Sequence, residues 1–313
     1  MPLAPIYIRR TAVSAKIEAT EGVDAAPTLV ANAMLVSDVT ISPLEQETAD
    51  RGLYRPYFGN DEKIAVAQWS KVEFSVEFAG AGAAGTAPKY GPLLRACGFS
   101  QTTAAGTNVV YAPVSDAFES VTIKVNVGGV LHKLVMARGS VALNLGARKK
   151  PTYRFGFTGL FSPVVDEVQV TADFSGYVKP IAVNKANTPV FTLMGQAVAL
   201  DDLTLDMKNE VTYRNLVGTE SVRIGDRKPD GSISFEATKV ADKDWWTTLA
   251  AGGSGPLHMV HGLTAGNIME IDAPRVQIVS PKYGDSGGIQ MMQGNLVLAP
   301  GATGNDELVI TVR

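Results

Sequence analysis

Gly284-Asp285-Ser286-Gly287-Gly288 sets a serine between an aspartate and two glycines, the setting of an activated nucleophile. Such a serine needs a histidine to take its proton and a carboxylate to orient that histidine. His132 lies far enough upstream, but Val130-Leu131-His132-Lys133-Leu134 reads as a strand, and no acid occurs between His132 and Asp166. Asp-Ser-Gly-Gly is also good turn chemistry, so a hairpin turn is expected here and no catalytic residue is assigned. Gly80-Ala81-Gly82-Ala83-Ala84-Gly85 satisfies the spacing of a dinucleotide-binding loop. That loop must open a helix, with an acid about 20 residues on. Here Pro88 and Pro92 interrupt the helix, and no Asp or Glu occurs between Glu77 and Asp116. A small-residue loop is expected, and no cofactor.

His258 and His261 could present two imidazoles to a metal from a helix. Leu257-His258-Met259-Val260-His261 looks extended instead, which sends the two rings to opposite faces. With three histidines and Cys97 as the one cysteine, no thiolate zinc site and no intrachain disulfide can form, so no metal is assigned. The acid pairs Asp201-Asp202 and Asp306-Glu307 stand at strand starts and need no acid–base role.

The elements that would position these groups are mostly strands. In Lys71-Val72-Glu73-Phe74-Ser75-Val76-Glu77-Phe78 the apolar residues alternate strictly with polar ones, the pattern of an antiparallel sheet with one wet face. The pattern returns at residues 36–42, 119–127, 140–145 and 152–160. Two short helices are expected. One lies in Tyr90-Gly91-Pro92-Leu93-Leu94-Arg95-Ala96-Cys97-Gly98, with Pro early and Gly after its end. The other spans residues 242–251, with Asp242 as its cap and Trp245-Trp246 burying one indole. Residues 12–27, carrying Glu18, Glu21 and Asp24, read as an exposed N-terminal arm.

The second half repeats the first. Leu35-Val36-Ser37-Asp38-Val39-Thr40-Ile41-Ser42 matches Ala199-Leu200-Asp201-Asp202-Leu203-Thr204-Leu205-Asp206. Phe74-Ser75-Val76-Glu77 matches Ile233-Ser234-Phe235-Glu236, and Leu94-Arg95-Ala96-Cys97-Gly98 matches Thr248-Leu249-Ala250-Ala251-Gly252. A closing hairpin ends both halves, at residues 141–160 and 276–296. The expected organisation is a first domain over residues 1–161 with its N-terminal arm, a linker and docking segment over 162–190, and a second domain over 191–313.

Composition narrows the function classes. Hydrophobic residues are 45% and charged residues 19%, enough apolar surface to fold. Lys plus Arg is 28 against 31 Asp plus Glu, a net charge of −3, so there is no basic excess to grip nucleic acid. No apolar run reaches the roughly 20 residues of a membrane helix. The start, Met1-Pro2-Leu3-Ala4-Pro5-Ile6, lacks a basic region before an apolar stretch, and Lys16, Glu18 and Glu21 break any twin-arginine signal after Arg9-Arg10. Synthesis and folding in the cytoplasm are expected.

Residues 43–68 and 207–231 each interrupt a hairpin with far more than the usual two to five loop residues, which marks them as functional. Both mix charge with apolar anchors. The first holds Leu53, Tyr54, Arg55, Tyr57 and Phe58; the second holds Tyr213, Arg214 and Leu216. Matched arms on matched units point to self-assembly, with an arm of one subunit docking on another.

Arg55-Pro56-Tyr57-Phe58-Gly59, the loop at residues 80–88, Leu93-Leu94-Arg95-Ala96-Cys97-Gly98 and Phe118-Glu119-Ser120-Val121-Thr122-Ile123 resemble the tail tube proteins of long-tailed bacteriophages. Val183-Asn184-Lys185-Ala186-Asn187-Thr188-Pro189, Ile224-Gly225-Asp226-Arg227-Lys228-Pro229 and Gly304-Asn305-Asp306-Glu307-Leu308 extend the resemblance over nearly the whole chain. The resemblance implies a mainly β fold: two tandem tail-tube-like β-sandwich/barrel domains, each with a short flanking α-helix and a long stacking arm. It implies a structural virion protein without cofactor or enzymatic activity, located in the tail and synthesised in the host cytoplasm. Its rings stack into the tube that conducts DNA at ejection. Partners would be further copies of itself, the tail tip, tape measure and tail terminator proteins, and double-stranded DNA passing without specific binding; no membrane is involved. The repeat implies a homotrimer with pseudo-sixfold symmetry in place of a hexamer. The inner strands are expected to turn Asp, Glu, Ser, Thr and Asn toward the lumen. Two other classes would fit a β-rich chain: a carbohydrate- or host-receptor-binding β-sandwich of a phage tail, and a serine hydrolase using Ser286.

Overall fold

Alternation of apolar and polar residues dictates strands that bury one face, and the computed structural model, which describes residues 5–313, is built almost wholly from them. Eighteen strands hydrogen-bond into one continuous network, and two more form a separate hairpin. Two short helices, Gly91–Ala96 and Trp245–Ala250, complete the regular structure.

The strands form two arrays with the same pairing order. In the first array, Val36–Ala49 pairs with Ile64–Glu77, which pairs with Thr152–Phe161, then Val130–Gly146, Val121–Val127 and Thr11–Ile17. In the second, Leu200–Asp206 pairs with Asp230–Glu236, then Ile289–Ala299, Met269–Ser286, Gly255–His261 and Val190–Leu193. All of these pairings are antiparallel. Register agrees as well: Val36 faces Val76 and Ser42 faces Lys71, while Leu200 faces Phe235 and Asp206 faces Asp230. Each leading strand is bulged near its start, where Asp38 adopts a positive φ of 53° in the first array.

The arrays are joined edge to edge. Leu200–Asp206 lies along Val130–Gly146, with Leu203 opposite Leu145 and Leu205 opposite Leu143. The last strand, Val309–Val312, is held between Met269–Ser286 and Asn108–Pro113 and so ties the second array to the hairpin that Asn108–Pro113 makes with Phe99–Ala104. One hydrophobic cluster runs through both. Phe74, Tyr153, Phe155 and Phe157 fill the first array, and Phe235, Trp245, Leu257 and Ile271 the second. Phe155 and Phe157 stack at 5.9 Å between ring centroids.

Two expectations need correction. Helix Trp245–Ala250 is capped by Asp244, whose carboxylate accepts from the Thr247 N–H at 2.9 Å; Asp242 lies outside the helix. The exposed N-terminal arm is instead an interior strand, Thr11–Ile17, with Val13 and Ala15 fully buried. Glu18 follows it into the protein because its carboxylate accepts from the Ser120 and Thr122 hydroxyls at 2.6 and 2.8 Å and the Met136 N–H at 2.8 Å. Residues 80–85 form the small-residue loop expected, which serves as a close-approach joint to the second array. The Gly80 N–H donates to the Asn267 side chain at 2.7 Å, and a Cβ on Gly80 would stand 2.1 Å from the Gly266 carbonyl oxygen.

His261 is buried, with Nδ1 2.9 Å from the Thr188 hydroxyl and Nε2 3.2 Å from the Ile181 carbonyl. Burial holds its pKa below the ordinary histidine value, against the opposing effect of the Ile181 hydrogen bond. The unfolded chain therefore takes up this proton first as pH falls. Stability is full above about pH 6.5 and declines below it, by at most about 1.4 kcal/mol per pH unit for one such group. His132 is shifted the same way by burial. Thermal melts from pH 7.5 to 5 should show a falling midpoint, with a shallower fall in His261→Gln; equal slopes would remove His261 as the cause.

Candidate assembly surfaces and polar sheet face

From edge to edge, eight consecutive strands form one sheet across both arrays, beginning at Val36–Ala49 and ending at Met269–Ser286. One face is core: Val72, Phe74, Val141, Leu143, Leu203, Leu205, Ile233 and Phe235 are all buried. Period two then forces the intervening residues to the opposite face. That face carries Glu73, Arg154, Ser140, Asn144, Thr204 and Asp206 in one shallow hollow. Asp202, Ser232, Ser234, Gln293 and Asn295 line the next.

Four cations of this face are held internally. Arg154 pairs with Glu73 at 2.8 Å and Lys150 with Glu77 at 3.1 Å. Lys208 pairs with Asp230 at 2.6 Å, and Lys149 reaches Asp202 at 3.6 Å. Each such pair is exposed and adds little stability. Their consequence is that these four cations already face a carboxylate, while Asp206 and Glu236 add negative charge and Lys71 and Lys282 positive charge to the same face.

The two arms differ. The second is a regular hairpin, Asn209–Leu216 with Thr219–Arg227, rather than a loop. It lies on the first array. Tyr213 stacks on Trp69 at 5.1 Å, and the Asn209 amide donates to the Cys97 and Gly139 carbonyls at 2.7 and 2.9 Å. Arg138, buried in strand Val130–Gly146, donates to the Phe118 carbonyl at 2.8 Å, to Glu21 at 2.7 Å and to the Val222 carbonyl of the arm. Arg227 at the arm's base pairs with the buried Glu307 at 3.1 Å. Arg214 and Leu216 remain exposed toward the tip.

The first arm extends the strands Val36–Ala49 and Ile64–Glu77 and is closed by residues 50–63. Tyr54 and Phe58 are fully exposed, and Leu53 and Tyr57 largely so. Arg55 is held by Asp61 at 2.8 Å. At its base Leu44, Ile64 and Val66 are exposed too. The arm residues singled out from the sequence thus fall on two hairpins, one seated on its own chain and one bare. Trp69, Arg138 and Asn209 were missed. An arginine between the apolar segments Leu134–Ala137 and Val141–Leu143 of its strand was the one available signal for Arg138.

The chemistry-like motifs fall elsewhere. Ser286 ends a strand, and Gly287 and Gly288, both at positive φ, make the turn, with the Gly288 N–H donating to Asp285 at 3.1 Å. His258 bonds Asp272 at 2.7 Å, and His261 bonds Thr188 and Ile181, so neither histidine is paired with Ser286. Cys97 is buried, and burial raises its thiol pKa well above the ordinary value. No cluster of three metal-binding side chains occurs among the described residues. No helix among them is long and apolar enough to cross a membrane.

No curated protein matches the chain. The model of a family described as phage tail tube protein matches residues 8–307. A mainly β chain with a two-array sheet, a polar face and protruding hairpins, matched by that family over nearly its full length, belongs to the phage tail tube protein family, whose members are structural components of the phage tail.

Proposed function

We propose that copies of this chain close into rings that stack as the tail tube and conduct DNA during ejection. The supporting observation is the polar face of the eight-strand sheet, backed by core and made by two arrays of identical pairing order. Each array would count as one tail-tube domain, residues 1–161 and 191–313, joined by 162–190. Three chains would then supply six such domains around one axis, a homotrimer with pseudo-sixfold symmetry. Closure of the sheet into a barrel removes its open edges and leaves an aqueous channel. Leu53, Tyr54, Arg55, Tyr57 and Phe58, with Arg214 and Leu216, would meet neighbouring rings, while Tyr213 buttresses the second arm on Trp69. Tail tip, tape measure and tail terminator proteins would meet the ends or interior of the tube. With Arg154, Lys150, Lys208 and Lys149 already paired, Lys71 and Lys282 are cations this face would leave free for phosphates, which weakens its hold on the duplex, because each free lysine or arginine releases counterions and holds the backbone.

Negative-stain microscopy of the concentrated protein, with rotational averaging and mass measurement, tests this. Hollow six-lobed rings with the mass of three chains are expected. Rings of six chains would keep the tube and discard the trimer. Monomers alone, even with tail tips added as initiators, would overturn the tube reading.

A second test addresses the lumen. Changing Glu73, Asp206 and Asp230 together to Lys should leave tubes intact but lower phage titre at least tenfold. The lost pairing frees Arg154 and Lys208 as well, so several new phosphate contacts arise at once. Normal titre from such tubes would remove the electrostatic role of this face.

A further inference from the structure

The internal junction between the two arrays leaves a specific pair of edges open. Along one edge of Val130–Gly146 lie first Val121–Val127 and then Leu200–Asp206. Along the corresponding edge of Met269–Ser286 lies Gly255–His261, but no strand among the described residues continues beyond it. At the far end of the sheet, Val36–Ala49 pairs with Ile64–Glu77 on one side and, among the described residues, with nothing on the other. The unfilled place is thus the place of Leu200–Asp206, and the unpaired strand is its counterpart in the first array.

Burial agrees independently. Leu143, Leu145, Leu203 and Leu205, which meet across the internal junction, are all buried. Their counterparts are not: Tyr283 is 52% exposed, Asp285 is exposed, and Val39 and Ile41 are only partly buried. An open row of N–H and C=O groups beside half-covered apolar side chains is a template for strand addition.

We infer that the edge of residues 38–42 of one chain adds antiparallel to the edge of residues 282–286 of a second copy, in the register of the internal junction. Leu205 opposite Leu143 becomes Ile41 opposite Tyr283, and Asp206 opposite Ala142 becomes Ser42 opposite Lys282. Tyr283 already meets Trp246, whose indole N–H donates to its hydroxyl at 2.9 Å, so Ile41 closes onto an aromatic pair. The contact is head-to-tail, so repeating it gives a closed ring when the rotation closes and an open helix otherwise. The same relation carries the bare first arm, with Leu44, Ile64 and Val66, onto the face of the neighbour's second array that matches the face covered by the second arm. This seam rests on the tube reading and names its contact surface.

Paired cysteines in a Cys97→Ala background test it in assembled tubes. Residues directly opposite across antiparallel strands have Cα atoms about 4.5–5.5 Å apart, within disulfide reach, whereas a two-residue slip is not. Ile41→Cys/Tyr283→Cys and Ser42→Cys/Lys282→Cys should cross-link on oxidation into covalent rings. Ile41→Cys/Asp285→Cys should stay monomeric on a denaturing gel. Hydrogen exchange of the unaltered protein gives a check that needs no variant: amides of residues 39–42 and 282–285 should exchange at least tenfold more slowly in tubes than in free subunits. Tubes in which these amides exchange as freely as in the monomer, or in which only the slipped pair cross-links, would overturn the seam and leave the tube reading standing. Absence of any tube from the unaltered protein would instead strike the tube reading on which the seam rests.

Discussion

A chain in which residues 50–63 are replaced by Asn-Gly is expected to fold normally and to form no tubes. The replacement closes the strands Val36–Ala49 and Ile64–Glu77 with a two-residue turn suited to their twist. It touches none of the buried cluster. What it removes is Leu53, Tyr54, Tyr57 and Phe58, an apolar group that one copy of the chain leaves in water. Contiguous exposed apolar groups of this kind mark contact sites, and aromatic anchors in such sites commonly contribute about 2 kcal/mol or more each. That is about thirtyfold per anchor in an association constant. Tyr54→Ser and Phe58→Ser should each raise the concentration needed for tube growth by about that factor. Sedimentation of assembly mixtures would measure it. Tubes of normal yield from the deleted chain would show that the arm is dispensable.

The second large effect is expected at Arg138. Arg138 is 3% exposed, and its guanidinium joins three parts of the chain: the Phe118 carbonyl, Glu21, and the Val222 carbonyl of the second arm. Arg138→Ala leaves the Phe118 and Val222 carbonyls without this donor in a site water reaches poorly, whereas Glu21 is 38% exposed and rehydrates. Each buried acceptor left unpaired costs about 1–3 kcal/mol. Arg138→Lys should recover little, because one ammonium cannot reproduce a planar fork of donors. Arg223→Ala is the control: its contact with Glu21 is 4.0 Å and exposed, so a change within about 0.5 kcal/mol is expected. Denaturant unfolding reports the stability, and protease cleavage within residues 209–227 reports release of the arm. If Arg138→Ala unfolded like the unaltered chain with its arm still protected, the arm would be held by Trp69 and Asn209 instead.

Much of the fold was legible because strand pattern is local. Strict alternation at residues 71–78 and 152–160 follows from one wet face and one dry face, and both segments form antiparallel strands with Phe74 opposite Phe155. The matched segments 35–42 and 199–206 are structurally equivalent, each leading its array. Turn chemistry was also local: Asp285-Ser286-Gly287-Gly288 needs only its own backbone to make a hairpin.

What stayed hidden depended on residues far away in sequence. Glu18 looked exposed because a carboxylate usually is; the hydroxyls of Ser120 and Thr122, a hundred positions on, make its burial affordable. Whether an arm is bare or seated could not be read from its own residues, since Tyr213 is covered only because Trp69 stands beside it. The open edges were hidden too. Val39 and Leu203 carry the same alternating signal, yet one edge is filled by the chain's own strand and the other is left open among the described residues. The sequence by itself determined which faces are wet, where the strands run and that the pattern occurs twice, because side-chain alternation is written residue by residue. Only the tertiary structure decided which edges close within the chain, because strand pairing is a contact between segments whose separation the pattern does not encode.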